Sequence, residues 1–178
     1  PDEELHYLNT KGRPEVLATP RSSAFRIAFE KRDCACILTG SNNHPPHVDK
    51  RKEMLCGLAI EAAHIVPLSR PDLWKLQFVA AIRKSRRLLR IGYAAINQNA
   101  LENGIMLRAD LHIMFDRFLW SVNPKTWRVV VFIPVAELVS FHGRTISRGD
   151  LNQFPPEPIW RWHWEQCVLR CLRAEGEL

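Results

Sequence analysis

Two stretches decide how this chain of 178 residues is read: Glu61-Ala62-Ala63-His64-Ile65-Val66-Pro67, and Asn103-Gly104-Ile105-Met106-Leu107-Arg108-Ala109-Asp110-Leu111-His112-Ile113-Met114-Phe115-Asp116. The first closes an apolar run, Leu55 to Val66, that fits a strand ended by Pro67. In the second, Gly104–Leu107 suits a short strand, Asp110 offers an N-cap, and Leu111 to about Phe118 suits a helix. On that helix His112 and Asp116 stand four apart and project from one face. A ring nitrogen and a carboxylate converging in this way can bind Mg²⁺, Mn²⁺, Zn²⁺ or Ni²⁺ without selecting among them. An imidazole is largely neutral near pH 7, so His64 is chemically able to take a proton from an attacking water. Asn103 can lock its loop to the backbone, or turn its side-chain oxygen toward a metal or the imidazole. Taken singly, each has a plainer use: a surface His–Asp pair, a packed strand histidine, an Asn-Gly turn. Their order and spacing together argue for a site.

Outward from this centre, Ser22 or Ser23 can cap a helix running to about Lys31. Cys34 to Gly40 reads as a short strand ending at a glycine turn, and Ser41 to Lys52 as a polar surface loop. Pro71 to Arg90 has helical spacing, with Leu73, Leu76, Val79, Ala80 and Ile82 apolar. Its second half carries Arg83, Lys84, Arg86, Arg87 and Arg90, a stripe able to follow phosphates without reading bases, or simply a solvated face. Gly92 to Glu102 is a loop rich in Asn and Ala. Asn123-Pro124-Lys125-Thr126 separates two β-prone runs and predicts a hairpin, Trp120–Val122 with Trp127–Ile133. Pro134 to Asp150 receives no assignment, and Pro158 to Arg173 reads as a last helix whose tryptophans are structural. His163, between two of them, reads as a packed helix residue. Residues 1–20 read as an arm, and 21–178 as one α+β domain with its core at about 55–118.

Composition narrows the classes. A net charge of +6 and a pI near 9.3 favour a polyanionic partner. No apolar run approaches the ~20 residues of a membrane helix. Five cysteines, Cys34, Cys36, Cys56, Cys167 and Cys171, are odd in number and irregular in spacing, so they suggest reduced thiols rather than a disulfide framework. The expectation is an intracellular protein, nuclear or cytoplasmic. Pro1 at the start is what a trimmed chain would show, so a targeting peptide is not read either way.

The succession of His64, then Asn103-Gly104, then His112-x-x-x-Asp116, with Asn103 nine positions before His112, resembles the HNH endonucleases. The flanks resemble the branch with Ala-His-Ile in place of Asp-His-Ile, and Trp162-His163-Trp164-Glu165-Gln166-Cys167-Val168-Leu169 resembles fungal members. The likeness covers roughly Arg21 to Glu177. It implies a ββα-metal (His-Me finger) nuclease core, embellished by an N-terminal helix, a basic helical insertion, a β-hairpin and a C-terminal helix. It implies hydrolysis of DNA, double-stranded rather than RNA, with His64, Asn103 and His112 catalytic and 5′-phosphate and 3′-hydroxyl ends. One divalent metal is implied, Mg²⁺ or Mn²⁺ before Zn²⁺ or Ni²⁺, on His112 and Asp116. Many such enzymes carry a ligand directly before the base, where this chain has Ala63, so Glu61 is expected to lend a carboxylate. A homodimer and an inhibitor or targeting partner are left open. Two rival functions share the fold: a binding module without turnover, and a partner-controlled toxin or defence nuclease.

Overall fold

The computed structural model describes residues 23–33, 35–41, 60–88, 96–146 and 154–175. The arm over 1–20, residues 55–59 of the expected strand, most of the polar loop with Lys50, Arg51 and Lys52, Cys34, Cys56 and Arg90 lie outside them.

Two short strands hold the centre. β1 (Ile60–His64) and β2 (Gly104–Arg108) pair antiparallel, Ile60 opposite Arg108 and His64 opposite Gly104. Helix α1 (Ser23–Asp33) packs across both through Phe25 and Phe29. Gly104 is where that packing is tightest. Its φ of −162° is ordinary extended backbone, so no turn requires it. A Cβ there would lie 2.7 Å from the Ala63 carbonyl oxygen and 2.8 Å from the ring tips of Phe25 and Phe29. The Asn103-Gly104 turn is thus corrected: the turn is the 3₁₀ segment Leu101–Asn103, and the glycine begins the strand.

The edge of β2 away from β1 is sealed by side chains. The Met106 N–H donates to Asp33 Oδ2 (3.3 Å), and its carbonyl accepts from the Ile37 N–H (3.0 Å). Arg32 donates to the carbonyls of Leu101 (2.7 Å) and Gly104 (2.9 Å) while pairing with Asp33. Buried charge is tolerable here because it is both paired and hydrogen-bonded, and the strand edge no longer offers a template for other chains. The strand expected at Cys34–Gly40 gives way to a turn at Ile37–Thr39. Hydrogen bonds from the Cys36 N–H to Ser41 O (2.8 Å) and the Gly40 N–H to Cys36 O (2.9 Å) close it, with Gly40 at φ 71°.

Residues 71–88 form one helix, α2, with a π-turn at Trp74–Phe78 between Pro71–Leu73 and Val79–Leu88. Trp74, Phe78 and Ile82, each four residues from the next, go inside, while Ala80 is exposed. Helix α3 (Ala109–Asp116) follows β2 directly. Asp110 does not cap it: Arg108 takes the N-cap position, and Asp110 in the first turn is held by the Arg108 guanidinium (2.6 and 2.7 Å), which keeps its carboxyl below the usual range. Phe118, at φ 58°, cannot continue the helix, which ends at Asp116.

β3 (Trp120–Val122) and β4 (Val129–Val131) form a hairpin. Asn123 Oδ1 accepts the N–H groups of Lys125 and Thr126, the local bond that makes asparagine a turn residue. Within the span left unassigned lies a one-turn helix, α4 (Ala136–Val139). The last helix, α5 (Glu157–Glu175), packs on β3. One cluster of buried apolar side chains runs from Phe25 to Trp162, and Phe115 of α3 meets Trp120, Trp160 and His163 within it. Among the described residues Cys36, Cys167 and Cys171 are free thiols, and no helix is long and apolar enough to cross a membrane.

Candidate active site

His64 ends β1. Its ring lies flat against Phe25, centroids 3.8 Å apart and planes 5° from parallel, and its Nε2 is 3.2 Å from Asn99 Oδ1. The segment that follows is clamped by Asn103. The Asn103 carbonyl accepts the Ile65 N–H (2.9 Å), its Oδ1 accepts the Val66 N–H (2.8 Å), and its Nδ2 donates to the carbonyls of Val66 (3.0 Å) and Gln98 (2.8 Å). Asn103 is fully buried, and of the two uses its sequence position allows, these bonds describe the locking of the loop. Gln98 adds a bond from Nε2 to the Pro67 carbonyl (2.8 Å).

His112 stands on α3. Its Nδ1 is 2.7 Å from Glu61 Oε2, and its Nε2 is 3.4 Å from Asp116 Oδ2. A carboxylate on one ring nitrogen holds the proton there and leaves the lone pair on the other, the arrangement that orients metal-binding histidines. Glu61, expected as a ligand, therefore meets the nitrogen of His112 that faces away from Asp116. Ala63 is fully buried among core residues. Among the described residues no group of three or more His, Cys, Asp or Glu side chains is gathered to hold a metal ion.

Two cavities meet at these side chains. One, of about 260 Å³, is walled by His64, His112, Asp116, Leu68 and Phe118. The other, of about 270 Å³, opens toward Ser23, Arg26 and Glu61 and shares Ala62, His64 and His112 with the first. His64, His112 and Asp116 are thus brought together, with Glu61 and Asn103 behind them. Residues 36–123 match the HNH endonuclease family model. That span holds β1, β2, α3 and all five of those side chains. No curated protein and no solved structure gives a significant match. The HNH match supports a nuclease-like family for this part of the chain, and with it a nucleic-acid substrate.

The remaining expected residues are more dispersed. Arg83 and Lys84 are exposed on α2, away from the cavity walls; the side chains of Arg86 and Arg87, and all of Arg90, lie outside the described set. His163 lines the first cavity yet is 1% exposed, its ring stacked on Phe115 (3.7 Å, 7°). Its Nδ1 is 3.0 Å from Ser121 Oγ, and its Nε2 donates to the Phe115 carbonyl (3.3 Å). Burial lowers its pKa to about 3, so it is a neutral strut beside the cavity. Sequence reading passed over Asn99 and Phe25. The amide run Asn97-Gln98-Asn99, four positions before Asn103, is a signal for the first; nothing local marks the second.

Proposed function

We propose that this chain is a metal-dependent HNH endonuclease of the ββα-metal type that hydrolyses phosphodiester bonds of double-stranded DNA. The observation that carries the reading is one cavity walled both by a ring-locked imidazole, His64, and by an imidazole–carboxylate pair, His112 and Asp116, inside the HNH-matching segment. His64 takes a proton from the water that attacks phosphorus. The P–O3′ bond breaks, its electron pair leaves on the 3′-oxygen, solvent protonates that oxygen, and the ends are 5′-phosphate and 3′-hydroxyl. Asn103 keeps the backbone beyond His64 in place, and Glu61 orients His112.

The donor set fits a divalent cation. His112 Nε2 and Asp116 Oδ2 are 3.4 Å apart, close to the separation of about 3 Å between neighbouring ligands of an octahedral ion bound at ~2.1 Å. Two protein ligands completed by water suit Mg²⁺ or Mn²⁺. When bound, the cation supplies Lewis-acid stabilisation of the charge that builds on the phosphate and the leaving oxygen. Arg83 and Lys84, with Arg86, Arg87 and Arg90 beyond them, supply sequence-independent contacts to the DNA backbone.

A second reading rests on Ala63. The place of a ligand in many HNH enzymes is here a buried methyl, which suits a DNA-binding module without turnover. Supercoiled plasmid separates the two. The enzyme nicks it in Mg²⁺ or Mn²⁺, EDTA stops it, and His64→Ala slows it about 10²–10⁴-fold while Mn²⁺ still binds. Unchanged nicking by His64→Ala removes His64 as the base. Binding without cleavage in Mg²⁺, Mn²⁺, Zn²⁺ and Ni²⁺ alike establishes the module.

A further inference from the structure

We infer that Asn99 is the positioning residue that sets the orientation and tautomer of His64, and that Asn103 acts on the base through it. The inference rests on the nuclease reading for its functional consequence, but its geometry stands independently.

A flat stack restrains an imidazole only in part. Phe25 holds the plane of the His64 ring, yet a half-turn about the Cβ–Cγ bond returns the ring to the same plane and leaves the stack unchanged. The half-turn exchanges Nε2 for Cε1 and Nδ1 for Cδ2. A carbon facing Asn99 Oδ1 forfeits the hydrogen bond seen at 3.2 Å, so Asn99 selects one of the two ring orientations. Because Oδ1 only accepts, the ring hydrogen resides on Nε2, and the lone pair a base needs resides on Nδ1. A neutral hydrogen bond of ordinary strength biases such a choice roughly three- to tenfold.

Asn99 can impose this only if it is itself fixed, and it is. Its N–H donates to Asn97 Oδ1 (2.8 Å), and the Ala100 N–H to the Asn97 carbonyl (2.9 Å) closes the turn around it. The residue before it, Gln98, is held twice: its carbonyl by Asn103 Nδ2 and its side chain by the Pro67 carbonyl. The same Asn103 amide grips both the N–H and the carbonyl of Val66, two residues past His64. One buried amide therefore ties the base's strand to the turn that carries Asn99. No hydrogen bond joins Asn103 to the His64 ring; Asn99 bridges that gap.

The test uses the full chain. In metal-free protein with ¹⁵N-labelled histidine, long-range ¹H–¹⁵N spectra at mildly alkaline pH report each ring's tautomer, with His64 assigned by its loss in His64→Ala. The wild type should show the Nε2–H form. Asn99→Ala should give a mixture of tautomers and ring orientations and a roughly two- to fourfold lower kcat for DNA cleavage in Mn²⁺, with KM and the unfolding midpoint unchanged. Asn99→Asp, which keeps an acceptor oxygen in place, should restore the Nε2–H form and most of kcat. An Asn99→Ala protein that keeps both tautomer and kcat overturns the inference, as does an Asn99→Asp protein that shows the mixture. A wild type in the Nε2–H form that cleaves nothing ends the nuclease reading and leaves Asn99 standing. A wild type that cleaves in the Nδ1–H form does the reverse.

Discussion

His112 belongs to helix α3 and His163 packs against it, and both are buried, at 9% and 1% exposure. Their surroundings differ in charge and in access to water. His112 meets two carboxylates, Glu61 and Asp116, whose side chains are themselves about half exposed. His163 meets a serine hydroxyl, a backbone carbonyl and the face of Phe115. A cation approaching Nε2 of His112 finds a carboxylate oxygen beside it and solvent behind it. At His163 both nitrogens are spent inside the fold. The same side chain is open to a ligand's role in one place and is a strut in the other because of what it faces, not how deeply it is placed.

Alanine at each position should separate the two roles. His112→Ala is expected to lower cleavage about 10²–10³-fold and to abolish Mn²⁺ binding, while shifting stability by no more than about 1 kcal/mol. His163→Ala leaves a cavity under Phe115 and a buried hydroxyl and carbonyl without their partner, at a cost of about 3–5 kcal/mol, or roughly 10 °C in Tm. Its folded fraction should still bind Mn²⁺. Thermal unfolding and Mn²⁺ titration of both variants decide the matter, and a His163→Ala protein that stays stable but loses metal would collapse the distinction.

A second difference is proton binding. His163 has an ordinary pKa of 6.5 when unfolded and about 3 in the fold, lowered chiefly by burial. Above 6.5 neither state binds the proton, and stability is fully present. As pH falls below 6.5 the unfolded chain takes up a proton that the native ring refuses, so stability is lost progressively down to about 3. By pH 4 the loss reaches roughly 3 kcal/mol. His163→Gln, which can donate and accept without titrating, should flatten that part of the urea-unfolding profile. An identical slope in both proteins would mean that His163 is protonated in the fold.

The contrast between these histidines also measures what could be read from the sequence. His64, Asn103, His112 and Asp116 were legible because their side-chain chemistry and spacing are local properties, as was the hairpin around Asn123. Long-range packing was not. Gly104 resembles a turn residue until Phe25 and Phe29, some 75 positions away, come to rest on it. Arg32 and Asp33 look like the charged end of an exposed helix, yet they seal the edge of β2. In α2 the buried face runs through Trp74 and Phe78, while Ala80 of the apolar set read from the sequence is exposed. Glu61 was legible as a carboxylate near the site; which nitrogen of which ring it would reach was not.

That last point yields the smallest and sharpest contrast. Glu61 Oε2 lies against Nδ1 of His112, where a carboxylate orients the ring and leaves the lone pair on the opposite nitrogen. Glu61→Gln keeps the shape, and its amide can still accept through oxygen, but the negative charge is gone. Partners of this kind are worth about 10–100-fold in metal affinity. Mn²⁺ affinity and cleavage at subsaturating Mn²⁺ should fall together by that factor, and saturating Mn²⁺ should recover most of the rate. If Glu61 were a direct ligand instead, Glu61→Gln would behave as His112→Ala does, with a loss that added metal does not repair. Recovery at high Mn²⁺ therefore assigns Glu61 to the histidine; no recovery assigns it to the ion.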